Sequence, residues 1–350
     1  MTLAPKSTIV EKLAGRSLVH PLFDYILIAA AWSIIPTALF VYRPSLVASL
    51  DPTALAILIL LANSAHFAAS TVRLYSKASN FEEFPFLTLV VPILTLVGVS
   101  LVIASPDILG RHLQALYLTW SPFHYAAQTY GLVLIYCFRS GCKLSATSKR
   151  VLYWTCLLPF LRSFLGMPDA GLGWFIRRET IEATPFVASG LGVLVDVILV
   201  LTFAAPFFLA WRVHVHERKV MPLIGLVLMM TNGLWWTVLD YVNAFVIATI
   251  AHGIQYLCIV VIYDVRERLR EPDNENGWLR HAVIFYGKTL ALGYGLFYCW
   301  PYAYVWAGAG LVESMLLVTA TINVHHFIVD RYIWRLGTPS KARSTVDTPP

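Results

Sequence analysis

The chain has 350 residues, 58% of them hydrophobic and only 13% charged, against about half and about a quarter in an ordinary soluble domain. Single cores in water stop growing near about 250–300 residues, so this composition excludes a soluble enzyme, a DNA-binding module and a disordered scaffold. The net charge of +6 is read by position rather than as a sum, because in a polytopic chain the placement of Lys and Arg sets orientation.

Apolar windows close to the roughly 20 residues that cross a bilayer predict an all-α, polytopic membrane helix bundle of about ten transmembrane helices. In chain order they fall over 22–42, 53–75, 85–104, 112–137, 151–166, 186–211, 221–238, 244–263, 281–300 and 303–328. Residues 1–21 are expected to be a cytoplasmic N-terminal segment, 22–335 the transmembrane domain, and 336–350 a disordered cytoplasmic tail rich in Ser, Thr, Pro and charge. The leader holds Lys6, Glu11, Lys12 and Arg16, and the apolar run after it is too long for a signal-peptide core, so the first span is expected to be an anchor. Met167–Pro185 reads as an interfacial loop carrying Gly173–Arg178, and Asp264–Arg280 as a solvated connector.

Ten spans divide the basic residues unevenly. Only Arg43, Arg111, Arg162, Arg177 and Arg178 fall opposite the N-terminal side, Lys288 lies inside the ninth span, and the other 20 of 26 lie on the N-terminal side. The positive-inside rule then places both termini in the cytoplasm of an inner or plasma membrane. The five cysteines are scattered without metal or redox spacing and read as reduced packing residues.

Polar side chains at membrane depth are where function is sought. Of ten histidines, His20, His214 and His216 lie in or beside loops, and His112 and His281 at span ends. His66, His124, His252 and the pair His325-His326 lie inside four different spans. Amides recur one turn away: Asn63 before His66, Asn323 before His326, Gln128 after His124, and Gln255 after His252. Such neighbours share a helix face, and a group that fixes an imidazole tautomer is what a ligand histidine needs behind it. Asp330 follows His326 by four residues and is expected to orient it. Neutral imidazole binds iron, copper or zinc without bringing charge into lipid. Asp196 and Glu313 lie toward the outer half, and Lys288 is a possible counter-charge. Glu313 stands about 18 Å along the helix from His325 at 1.5 Å per residue, so the two do not share an ion.

Histidines on several membrane helices, ending in a His-His pair with carboxylates nearby, resemble the membrane-bound non-haem iron oxygenases. These are the fatty-acid desaturases and hydroxylases and the histidine-ligated carotene-cleaving dioxygenases of the bacteriorhodopsin-related type. The chain has no HxxxH or HxxHH box, and Gln128 and Gln255 stand near the positions that would complete one. The resemblance implies an integral membrane oxidoreductase holding non-haem iron through His66, His124, His252 and His325 or His326, supported by Gln128, Gln255 and Asp330, with O2 and a lipid-soluble substrate as partners. Three other readings stand beside it: a transporter or lipid-handling protein with an intramembrane His/carboxylate proton relay, haem held by paired histidines, and an acyltransferase using His252 in Ala-His-Gly.

Overall fold

The computed structural model describes residues 13–45 and 57–333; the expected tail 336–350 lies outside them. Every described element is helical. The longer ones, in chain order, are α1 (Pro21–Ile28), α2 (Ala31–Tyr42), α3 (Ile57–Tyr75) and α4 (Phe86–Ala104), α5 (Arg111–Arg139), α6 (Ala146–Gly166) and α7 (Pro185–Glu217). They continue with α8 (Leu223–Val238), α9 (Tyr241–Arg268), α10 (Trp278–Trp306) and α11 (Leu311–Ile333).

Six of these, α3, α4, α7, α9, α10 and α11, are long and apolar enough to cross a membrane, and α1 with α2, bent by 53°, make a seventh if taken as one span. This is fewer than the ten read from the sequence. The difference has a simple cause. α5 carries Arg111, His112, Gln114, His124 and Gln128, α6 carries Lys149, Arg150 and Arg162, and α8 is only 16 residues long. The expected boundary between the last two spans also moves. α10 runs on to Trp306 and α11 starts at Leu311, with the turn made at Gly308, whose φ of 99° is a conformation open to glycine. Glu313 therefore sits in the first turn of α11, where the helix dipole favours an acid.

Prolines do not break the helices that carry them. Pro122, Pro159 and Pro206 lie inside α5, α6 and α7. π-helical turns at Phe86–Val90 and Gly295–Cys299 directly precede Pro92 and Pro301, and such local widening relieves the clash of a proline ring with the preceding turn.

The described residues form two compact units, 13–45 with 122–251 and 57–121 with 252–333. The chain passes between them inside α5 and inside α9.

In the first unit α6 packs along α7 and α8, and an aromatic core of Tyr125, Trp235 and Trp236 closes on Ala30, Ala244, Ile247, Ala248 and Ala251. Ala30 adopts a left-handed φ of 54° at the α1–α2 bend. The bend is held by Thr231, which donates to the Ala29 carbonyl at 3.0 Å, and by Ser33, which donates to the Ala30 carbonyl at 2.7 Å and accepts from Trp235 Nε1 at 2.8 Å. At one end of this unit the N-terminal segment is laced down. The fully buried Asp24 carboxylate accepts from the Leu18 and Val19 amides and from Tyr136 Oη, and Arg139 donates to the Ser17 carbonyl at 3.0 Å. The 140–145 turn joins the same end. Ser140 Oγ accepts from the Arg16 amide at 2.9 Å, and Ser145 Oγ donates to Glu217 at 2.6 Å.

In the second unit α3 is the central helix, packed against α10 and α11. Ala62 through Ser70 are all buried, and most of them are small, the composition that lets membrane helices approach closely. Two glycines carry that approach. A Cβ on Gly253 of α9 would stand 2.9 Å from the Ala62 carbonyl oxygen, and one on Gly293 of α10 would stand 2.9 Å from the Ser64 backbone. Around α3 lie Tyr256, Leu257, Val260 and Phe285 on one side, and Val99, Phe297, Val318, Ile322 and Phe327 beside Phe67 on the other.

Candidate metal centre

The close packing of α3 puts His66, which is fully buried, against two other histidines of the second unit. Its ring lies 4.8 Å from that of His252 and 4.6 Å from that of His326, centroid to centroid, and nearly perpendicular to both. His66 and His326 meet through their Nε2 atoms, 3.2 Å apart.

The His66 tautomer follows from its other contact. His66 Nδ1 lies 3.1 Å from the Asn63 carbonyl oxygen; a carbonyl only accepts, so Nδ1 carries the hydrogen. His326 Nδ1 lies 3.0 Å from Ser70 Oγ, which also stands 3.0 Å from the Phe67 carbonyl. Each neutral imidazole has one donor and one acceptor nitrogen, so His66 Nε2 turns an acceptor toward His326 Nε2 across 3.2 Å. With metal–nitrogen bonds of about 2.1 Å, two ligand nitrogens at right angles to tetrahedral stand about 3.0–3.4 Å apart, so the separation fits ligands of one ion.

One nitrogen from each of His66, His252 and His326 lies within 4.8 Å of every other, and all three residues are buried. The donors are imidazoles, a set suited to iron, copper or zinc. The wall is aromatic. Phe67 lies 4.0 Å from the His66 ring and 4.9 Å from that of His326, and Phe297 lies 5.6 Å behind Phe67.

Of the sequence-derived candidates, the second unit brings together His66, His252 and His326, from three helices, and His124 lies in the first unit. From the adjacent pair it takes His326; His325, about 100° round the helix, is half-buried and outside the group. Gln255 is buried and Gln128 half-buried. The amides of Asn63 and Asn323 were expected to orient their histidines. Instead the Asn63 main-chain carbonyl does so, while the Asn323 side chain donates to the Thr319 carbonyl at 2.8 Å. Asp330, expected behind His326, accepts from Tyr256 Oη at 2.7 Å. Asp196 and Lys288 lie on exposed faces of α7 and α10. Ser70 and Tyr256 were missed as site residues. Each follows a site histidine by four residues, which is the one local signal they give, but their partners sit on another helix.

No protein-family profile, no curated protein and no solved structure matches the chain. The class that fold and site define is a helical chain with apolar spans and a buried histidine cluster compatible with a metal ion.

Proposed function

We propose that the chain is an integral membrane oxidoreductase that holds non-haem iron through His66, His124, His252 and His326 and oxidises a lipid-soluble substrate with O2. The observation that carries this reading is the buried histidine group, in which Nε2 of His66 and Nε2 of His326 stand 3.2 Å apart. Four neutral ligands leave the charge of the ion uncompensated by its own donors, and iron held this way supplies redox chemistry toward O2. The protein's own part is to fix the four rings and to exclude water with Phe67, Phe297 and Phe327.

The same reading completes the topology. The six apolar helices, the bent α1–α2 pair, α5, α6 and α8 make ten spans with both termini cytoplasmic, and the histidine-bearing helices are then the second, fourth, eighth and tenth, all crossing in one sense. The ion pair of Lys77 with Glu267, just past α3 and at the end of α9, supports this common sense.

The test is oxygen uptake by Fe(II)-loaded protein in nanodiscs supplied with a total lipid extract. Uptake that depends on added lipid, and that is lost in His66→Ala and His124→Ala, is the expected result. Equal uptake by these variants, or by protein stripped of metal, overturns the oxygenase reading. Substrate-linked proton movement without metal would favour the relay.

A further inference from the structure

The four histidines come from separate helices, so something must set the distance between those helices, and the hydrogen bond between Tyr256 and Asp330 is placed to do so. Tyr256 follows His252 by four residues on α9, and Asp330 follows His326 by four on α11. Each therefore lies one turn beyond its histidine on the same helix face. Tyr256 Oη donates to Asp330 Oδ1 at 2.7 Å, and both residues are buried, at 4% and 9% exposure. The Tyr256 ring fills the space under the cluster, with centroid distances of 5.1 Å to His66, 5.4 Å to His326 and 6.5 Å to His252. A hydrogen bond to a carboxylate away from water is among the stronger and more geometrically demanding contacts available to a tyrosine.

Resting on the metal-binding part of the reading above, we infer that Tyr256 is a positioning residue. Its bond to Asp330 ties α9 to α11 and sets the spacing at which His252 and His326 present their nitrogens to the ion. It touches no reacting atom. Asp330 then acts on the site through Tyr256, across helices, and its role is to accept that bond rather than to supply charge.

The experiment measures Co(II) affinity by chelator competition, together with the visible spectrum of the Co(II) protein. It uses the full chain in detergent as wild type, Tyr256→Phe, Asp330→Ala, Asp330→Asn and the double variant Tyr256→Phe/Asp330→Ala. Tyr256→Phe and Asp330→Ala are expected to weaken binding by about 10–100-fold, the range for loss of a partner behind a ligand, and to shift the spectrum. The double variant is expected to be no weaker than the worse single one. Asp330→Asn keeps an oxygen that accepts from Tyr256 and is expected to match wild type in affinity and spectrum. Wild type that binds Co(II) while Tyr256→Phe leaves affinity and spectrum unchanged overturns this inference alone. So does an Asp330→Asn protein that behaves as Asp330→Ala, or losses that add in the double variant. Wild type that binds no metal overturns the metal reading and this inference with it.

Discussion

Ser70 is a fully buried hydroxyl that stands 3.0 Å from both the Phe67 carbonyl oxygen and His326 Nδ1. Replacing it with alanine removes the hydrogen-bond partner that orients the His326 ring. Ser70→Ala is expected to lower metal affinity by about 10–100-fold while changing thermal stability by only about 1 kcal/mol, the net worth of a typical hydrogen bond. Metal binding measured beside a melting curve separates the two, and unchanged affinity would reduce Ser70 to a packing residue. The histidines themselves were legible in the sequence, because a titratable ring in an apolar helix stands out against its neighbours. What holds them was not. His66 uses a main-chain carbonyl that no side-chain pattern reveals, and the serine serving His326 is 256 positions away in sequence.

Helix α3 reaches its partners only because the facing residues lack side chains at two points. A Cβ on Gly253 meets main-chain oxygen, which has no cheap way to move, whereas one on Gly287 of α10 meets nothing within 4 Å. Gly253→Ala is therefore expected to push α9 from α3, lower stability by about 1–3 kcal/mol and reduce metal content, because His252 is its chain neighbour. Gly287→Ala, in an open helical position, is expected to be neutral or slightly stabilising. Thermal unfolding of the two variants in one detergent decides the point, and equal melting temperatures would mean that the close approach of α3 and α9 has no energetic weight. Hydropathy found these helices because length and apolarity are local properties. It placed the start of α11 too early, since Pro301–Gly310 stays apolar through a turn that only the left-handed Gly308 marks.

At the scale of the whole chain the basic residues and the site make separate claims. If ten spans hold, a reporter within Lys143–Arg150 or after Pro350 is expected on the cytoplasmic side and one within Met167–Pro185 on the other. A cytoplasmic signal from the last would remove a span, and α6, with Arg162 near its end, is the first to question. Two of the three crossings between the units were invisible in the sequence, because they fall inside α5 and α9, where neither apolarity nor loop composition changes. The central claim is that four imidazoles converge on one ion, and X-ray absorption at the metal edge of purified, iron-loaded protein tests it most directly. The account predicts about one iron per chain in a shell of nitrogen or oxygen ligands with imidazole scattering, and loss of most of that metal in His252→Ala. Folded wild type without metal, a sulfur-bearing shell, or full occupancy after loss of His252 would contradict it.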